Sequence, residues 1–389
     1  MRILIVHNIL WAHYKSSVFQ AFQQLVDQQT NTQVKVLQIA RNERSRADLE
    51  TTTDENAPIY RYDYDLLFDR FSEDINLPDR TRALLQHAGA FRPDVITLTG
   101  YYDPAQLLLW LWAKTKGIRV LIQNESTATD HQRGGWKESF KRWLVNQGDG
   151  FFCFGNQSAE YLIQLGVQPA KILLRKNAVD NKILQSAYER ALPDRAREQR
   201  ILMLRPNNFV FVGRLIDVKN LPMLLSAFAQ TQTQSLRAAD WGLILLGDGA
   251  EREKLTEQIS ALGLIDSVHI LPGRPWYRVP EVLAMSNVLV LPSRSEPWGL
   301  VVNEAMACGL PVLVSDRCGC APELVHEGKN GFVFAYDQPA QLTQLMLRFI
   351  NEDVDVQEMS RWAKKLIAPY APEVVAQEML NGFKHILTK

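Results

Sequence analysis

Short, continuously apolar runs alternate with longer segments of helical periodicity throughout the first half of the chain. The apolar runs lie at residues 3–6, 34–39, 95–98, 120–123 and 151–154. In the intervening segments apolar residues recur at helical spacing, for example at 17–29 and 104–116. Runs without polar alternation are typical of strands covered on both faces, and their alternation with helices favours a parallel sheet. We therefore predict one α/β domain over this half.

A charged segment at residues 190–207 interrupts the pattern and predicts a linker, after which a second alternation begins. Its apolar runs lie at 209–212, 243–246, 269–271, 288–291, 312–314 and 332–334. We predict an N-terminal Rossmann-like domain at 1–198, a C-terminal Rossmann-like domain at 199–365, and a final helix at 366–389 that crosses back to the first domain. Because sites of parallel sheets lie at the carboxyl ends of the strands, the two domains are expected to face each other across a cleft.

The composition limits the kinds of ligand and the cellular location that the chain can have. Lys plus Arg and Asp plus Glu both number 43, and hydrophobic residues make up 46% of the chain. This charge balance gives no general attraction to nucleic acid, so an anionic ligand must be held by a few placed cations. The cysteines form no disulfide framework, and the apolar run at 107–113 is far shorter than the ~20 residues of a spanning helix. These features predict a cytoplasmic enzyme.

The first segment with candidate chemistry follows the apolar run at 209–212. Gly213 and Arg214 come directly after this run, Lys219 follows, and Pro222 suits the first turn of a helix. Two cations at a strand end, beside a glycine that allows close backbone approach, suit a diphosphate group. A solvated loop with two ordinary surface cations is the alternative.

The strongest pattern follows the fourth apolar run of the second half. Glu296 lies in the loop after this run, and Glu304 lies inside the helix predicted next. The amides of Trp298, Gly299 and Leu300 lie at the start of that helix, where the partial positive charge favours phosphate. Small and apolar neighbours indicate that Glu304 is buried, and ribose or sugar hydroxyls would serve a buried carboxylate as partners. A solvated helix carboxylate is the alternative.

The pair Glu296 and Glu304 resembles the Glu-x7-Glu pattern of retaining glycosyltransferases of family four, which have the GT-B fold. The likeness extends over residues 205–335 and includes Glu-Pro-Trp-Gly-Leu, Glu-Ala-Met-Ala-Cys-Gly and, upstream, Val-Gly-Arg-Leu. The N-terminal half resembles the family in outline. The resemblance implies two Rossmann-like domains, with the acceptor bound at 1–198 and the nucleotide-sugar at 199–365. It also implies transfer of a sugar, with retention, from a UDP- or GDP-sugar to a glycan, glycolipid or small acceptor.

The resemblance also implies a role for each residue of these motifs. Glu296 would contact the donor sugar, Glu304 the ribose, and Arg214 and Lys219 the diphosphate, which makes Glu296, Arg214 and Lys219 the candidate catalytic residues. The other donor-side residues are Gly213, Arg274, Pro297, Trp298, Gly299, Leu300, Val301 and Glu304. Preplaced cations and amides would stabilise the leaving diphosphate without reorganising. Neither a metal nor a cofactor is therefore expected.

The acceptor side departs from the family pattern. The loop after the first strand has no glycine and carries Lys15, and the histidine that many members place after the fourth strand is missing, which makes His131 a candidate for its role. Tyr101 and Asp103 follow another strand and suit a sugar-like acceptor, although aromatic packing under a loop explains them as well. The predicted acceptor-side residues are His131, Tyr101, Asp103 and Lys15.

Other interpretations stay open. The basic amphipathic stretch at 136–144 either packs on its own sheet or rests on a membrane near a lipid-linked acceptor. A nucleotide-sugar epimerase and a non-catalytic sugar-binding protein also suit a two-domain α/β chain. A nicotinamide dehydrogenase does not, because neither half has a G-x-G-x-x-G sequence after its first strand.

Overall fold

The computed structural model describes residues 1–10, 12–44, 57–127 and 136–388 of the chain. It divides into two compact units. The N-terminal unit comprises Met1–Val179 and Tyr370–Lys389, and the C-terminal unit comprises Asp180–Pro369. Residues 180–198, which the sequence pattern placed in the first domain, thus lie in the C-terminal unit.

The N-terminal unit is built on a seven-stranded parallel sheet. Its strands are β1 (Arg2–Ile9), β2 (Gln33–Asn42), β3 (Tyr64–Phe71), β4 (Val95–Thr99), β5 (Arg119–Asn124), β6 (Gly150–Cys153) and β7 (Ile172–Arg175). Their order is β3-β2-β1-β4-β5-β6-β7. All strands predicted for this half are present. The apolar pattern did not reveal β3 and β7, which lie at the two edges, where partial exposure leaves no continuously buried run.

Helices cover both faces of this sheet. They are α1 (His13–Asp27), α2 (Leu77–Phe91), α3 (Pro104–Thr115), α4 (Trp136–Val145) and α5 (Asn156–Gln164). Alternate side chains of β1 enter two different cores, Leu4 and Val6 one and Ile3 and Ile5 the other. Since successive side chains of a strand point to opposite faces, a strand buried on both sides must be apolar throughout.

The C-terminal unit contains a six-stranded parallel sheet. Its strands are β8 (Asn207–Val212), β9 (Trp241–Leu246), β10 (Val268–Leu271), β11 (Val288–Leu291), β12 (Val312–Ser315) and β13 (Gly331–Phe334). Their order is β10-β9-β8-β11-β12-β13, so every run predicted for this half is a strand. The order reverses between the neighbours β8 and β11, and such a switch point is where ligands of parallel sheets bind.

Short connections link these strands through helices. The helices are α6 (Asn181–Ala191), α7 (Arg195–Ile201), α8 (Leu221–Gln234), α9 (Arg252–Ala261), α10 (Val279–Ala284), α11 (Leu300–Ala307), α12 (Ala321–Leu324), α13 (Pro339–Ile350) and α14 (Val356–Ile367). The last helix, α15 (Pro372–Leu387), belongs to the N-terminal unit, where Phe383 contacts Phe22 of α1 at 5.5 Å between ring centroids.

The predicted linker at 190–207 is wrong in its upstream part, because α6 and α7 are helical there. Gln199 donates from Nε2 to the carbonyl oxygens of Pro206 and Met285, and Arg195 donates to Asn287 Oδ1 at 2.7 Å. These polar side chains anchor a charged segment on the C-terminal unit without an apolar run. Charge alone therefore did not distinguish a solvated linker from a helix held by its polar groups.

Candidate functional site

The loops after β8 and β11 are joined at the carboxyl edge of the second sheet. Arg294, just after β11, donates its backbone N–H to the carbonyl oxygen of Val218 at 2.8 Å. Its guanidinium donates to Asp217 Oδ1 at 2.7 Å. The short 3-10 helix Asp217–Lys219 is therefore fixed against the β11 loop, which places Lys219 beside that loop.

Lys219 and Glu296 meet at this edge. The Lys219 ammonium donates a hydrogen bond to Glu296 Oε2, and the Ser293 hydroxyl donates to the same oxygen at 3.5 Å. The two charged side chains retain only 15% and 17% exposure. Because screening by water weakens with burial, this pair interacts more strongly than one on the open surface. The structure thus brings together two of the three residues predicted to be catalytic.

A sharp turn at Gly299 connects the loop to α11. Gly299 has φ 96° and occupies the N-cap of the helix. A Cβ atom there would lie 3.0 Å from the Leu291 side chain and 3.3 Å from the Glu296 side chain. Glycine is therefore favoured both by its conformation and by the close approach. The turn directs the first amides of α11, at Leu300 and Val301, toward the edge where helix N-termini attract anions.

The segment after β12 supports this loop from the other side. The amide of Glu296 donates to the carbonyl oxygen of Arg317 at 3.2 Å, and those of Gly319 and Cys320 donate to the carbonyl oxygens of Glu296 and Trp298 at 2.8 and 3.0 Å. No role at the site was predicted for this segment from the sequence. The available signal was its position directly after a strand, at the same sheet edge as the other loops.

Gly213 and Arg214 lie at the end of β8. The amide of Gly213 donates to the carbonyl oxygen of Leu246 at 3.0 Å, and the next loop approaches so closely that a Cβ atom at Gly247 would lie 1.9 Å from the Gly213 carbonyl oxygen. The Arg214 side chain is exposed, and its guanidinium forms no hydrogen bond or ion pair with the residues that the structure describes. It is thus available to a ligand, whereas Lys219 is already paired.

Glu304 lies on α11, next to buried neighbours. Desolvation raises the pKa of its carboxyl to about 8. Within the described residues this carboxyl has no hydrogen-bonding partner, and the side chain retains partial exposure. A ligand hydroxyl that hydrogen-bonds to this carboxyl would offset the free-energy cost of its desolvation.

The other predicted donor-side residues occupy different environments. Pro297 is exposed, whereas Trp298 is buried and donates from Nε1 to Asn303 Oδ1 at 2.9 Å, so its indole serves the core. Arg274 follows β10 at the edge of the sheet, where its guanidinium donates to Glu281 Oε2 at 2.7 Å. No contact among the described residues joins Arg274 to Lys219 or Glu296.

Two family models match the chain. The model described as "Glycosyl transferases group 1" matches residues 194–366, and "Glycosyl transferase 4-like domain" matches residues 20–178. The chain belongs to the family-four glycosyltransferases. It is accordingly an enzyme with the GT-B fold of two Rossmann-like domains, as the sequence motifs predicted.

Curated relatives and solved structures agree with this assignment. The chain is 29% identical to D-inositol 3-phosphate glycosyltransferase of Corynebacterium urealyticum, over 71% of this chain and 66% of the relative. It is 29% identical to N-acetyl-alpha-D-glucosaminyl L-malate synthase of Bacillus anthracis, over 69% and 68%. It thus spans about two thirds of these relatives. Alr3699/HepE of Anabaena, solved with UDP, is similar in fold, with a TM-score of 0.76, 19% identity and 99% and 100% coverage.

Three of the predicted acceptor-side residues of this glycosyltransferase are described in the N-terminal unit. Asp103 caps α3 by accepting the Ala105 amide at 2.9 Å, and it also pairs with Arg80 at 3.1 Å, so its carboxylate supports the fold. Tyr101 is buried and stacks on Tyr102 with ring centroids 4.5 Å apart. Burial raises the pKa of Tyr101. His131 lies outside the described residues.

Lys15 is buried in the first turn of α1, and its ammonium lies 3.3 Å from the centroid of the Phe154 ring. Burial lowers the pKa of Lys15 to about 8. No three His, Cys, Asp or Glu side chains group as metal ligands in the described part of the chain. Across those same residues, no helix has the length and apolar character needed to span a bilayer.

Proposed function

We propose that this glycosyltransferase is a retaining, metal-independent enzyme that transfers a sugar from a UDP- or GDP-sugar to a glycan, glycolipid or small acceptor. The observation that carries the proposal is the contact of Lys219 with Glu296 beside the first turn of α11, with Arg214 after the neighbouring strand. These groups offer positive charge for a diphosphate and a carboxylate for sugar hydroxyls.

In the proposed reaction, the bond between the anomeric carbon and the diphosphate oxygen breaks, and that oxygen keeps the electron pair. The oxygen of the acceptor hydroxyl bonds to the same carbon, and its proton leaves with the diphosphate product or to solvent. Negative charge grows on the diphosphate, where Arg214, Lys219 and the α11 amides stabilise it. One preplaced donor of this kind contributes about 3 kcal/mol. These groups supply the stabilisation that a metal ion provides elsewhere.

The comparisons support the substrate classes. HepE has been solved with UDP and with UDP-glucose, which favours UDP as the nucleotide of the sugar donor. The names of the relatives refer to inositol 3-phosphate and malate, so small acceptors are included in the proposal. We also propose a cytoplasmic location, which the composition predicts. Contact at the membrane surface is proposed because Phe140 and Trp143 on α4 are 50% and 57% exposed.

A ligand screen followed by a transfer assay tests the proposal. The melting temperature should rise with UDP or GDP more than with ADP, since stabilisation follows affinity. Nucleotide release should then require an acceptor and persist in EDTA, and NMR of the product should show the anomeric configuration of the donor. Conversion of the donor without acceptor would indicate an epimerase. Binding without turnover of any donor would indicate a sugar-binding protein.

A further inference from the structure

A small cavity lies in the N-terminal unit between the first turn of α1, α15 and the carboxyl end of the sheet. Its volume is about 20 Å³, and its polar lining comes from Lys15, Gln123, Lys176 and Asn177. A volume of about 10–15 Å³ on this measure holds one water, so the cavity accommodates about one oxygen-sized group. Lys15 follows β1, Gln123 lies near the end of β5, and Asn177 follows β7, which places the cavity at the edge where parallel sheets bind ligands.

The Lys15 ammonium is poorly satisfied in this cavity. The residue is only 7% exposed, and among the described residues its one hydrogen bond is a long one, 3.4 Å to Asn177 Oδ1. An ammonium has three donor hydrogens, and a buried charge needs pairing. The ring of Phe154 at 3.3 Å offsets part of the cost through a cation–π interaction, but it supplies no countercharge. Glu125, whose charge acts on Lys15, is exposed.

Gln123 presents a second unsatisfied donor. Its side chain lines the same cavity, the residue is 5% exposed, and its Nε2 is buried without a partner among the described residues. Native proteins rarely leave such atoms unpaired. Two buried donors therefore line one small cavity, and the described residues around it supply neither of them with a negatively charged hydrogen-bond acceptor.

We propose that the cavity binds one anionic oxygen, from a carboxylate or phosphate group, with Lys15 and Gln123 as its donors. The assignment of this group to the sugar acceptor rests on the proposed function, whereas anion binding itself does not. A water molecule would accept both hydrogen bonds but would leave the ammonium charge uncompensated. Lys176, on the same wall, is already neutralised by Glu378 at 2.5 Å and does not provide the charge.

The test uses the full chain carrying Arg214→Ala and Lys219→Ala, so that the proposed diphosphate site cannot bind the probe. Sodium formate, acetate and phosphate are titrated against sodium chloride at equal ionic strength, and the melting temperature is recorded. Lys15→Met removes the ammonium and keeps the chain length, Gln123→Leu removes the amide, and Lys176→Met is the matched control on the same wall.

The melting temperature should rise hyperbolically with formate or phosphate. This response should be lost in Lys15→Met, weaken at least threefold in Gln123→Leu, and persist in Lys176→Met. The ratio of the formate and phosphate midpoints tells which group the cavity prefers. An equal response in Lys15→Met, or no saturable response to any of the three anions, would show that water fills the cavity and would overturn the proposal. Because no donor is present, neither result depends on transferase activity.

Discussion

The ammonium of Lys219 donates a hydrogen bond to the carboxylate of Glu296, which lies 77 positions further along the chain. The contact exists because β8 and β11, which precede the two residues, are neighbours in the C-terminal sheet. Arg294 holds the intervening turn in place through Asp217 and the carbonyl oxygen of Val218. The fold itself thus holds the two groups together, as electrostatic preorganisation requires.

Removing either partner of this pair should lower transfer strongly. We expect Lys219→Met and Glu296→Gln each to reduce kcat/KM by about 100- to 1000-fold, because each removes a group placed for the reacting donor. The rate of nucleotide release in the presence of acceptor measures the effect.

The double variant separates this role from stability. Each single change leaves a largely buried charged group without its partner, whereas the double change removes both charges. The free energy of unfolding of Lys219→Met/Glu296→Gln should therefore be closer to that of wild type than in either single variant, while the enzyme stays inactive. Lys254→Met, which breaks a surface pair with Glu251 in the same unit, is the control and should retain wild-type rates. Wild-type turnover in both single variants would contradict the proposed site.

Arg214 should contribute mainly to binding of the diphosphate. A hydrogen bond to a charged group is worth about 1.5–3 kcal/mol, so Arg214→Ala should weaken UDP or GDP binding by roughly 10- to 100-fold. The salt dependence of binding should also decrease, because one exposed cation is lost. Calorimetric titration at two ionic strengths measures both. Arg237→Ala, at a surface pair with Glu352, should change neither, and equal losses in the two variants would argue against a specific role.

The turn at Gly299 should be sensitive to a single methyl group. Left-handed backbone costs a non-glycine residue about 1–2 kcal/mol, so Gly299→Ala should lower the free energy of unfolding by roughly that amount. The added Cβ also approaches Leu291 and Glu296, so donor affinity should fall as well.

Gly263→Ala is a matched control for this turn. Gly263 has φ 70°, and no atom lies within 4 Å of the position that a Cβ would take, so its substitution adds backbone strain alone. Both alanine variants should lose stability in chemical denaturation, and only Gly299→Ala should lose donor binding. Unchanged donor affinity in Gly299→Ala would show that the turn does not shape the site.

Glu304 should make stability depend on pH. Its pKa is raised from 4.5 to about 8 by desolvation, so between these values the folded state holds a proton that the unfolded state releases. The free energy of unfolding should therefore fall as pH rises from 4.5 to 8, by at most about 1.4 kcal/mol per pH unit. Below 4.5 both states are protonated, and above 8 both are ionised, so this contribution is constant there.

Replacing the carboxyl isolates this effect. Glu304→Gln is neutral at every pH and should flatten the profile between 4.5 and 8, whereas Glu257→Gln, an exposed substitution on α9, should keep the wild-type slope. Urea denaturation at intervals of pH measures the difference. An unaltered slope in Glu304→Gln would mean that the carboxyl ionises freely in the folded protein.

Much of the fold follows from local patterns. The central residues of β1 and all of β11 are buried on both faces and are continuously apolar, which makes these strands visible in the sequence. The edge strands β3 and β7 are half exposed, and α7 is held by the polar side chains of Arg195 and Gln199, so these elements show no run of buried residues. Asp103 illustrates the same limit: its cap on α3 is a local contact, but its ion pair with Arg80 joins residues 23 positions apart and is visible only in the structure.

By itself the sequence determined the alternation of strands and helices, the polar groups that follow each strand, and a family pattern around Glu296 and Glu304. Only the tertiary structure decided which of these loops adjoin, because strand order depends on how the sheet assembles and not on order along the chain. It therefore decided that Lys219 is paired while Arg214 is available, and that Lys15 is buried at the edge of the N-terminal sheet. Burial and pairing are properties of neighbours in space, and they set the charge that each group offers to a substrate.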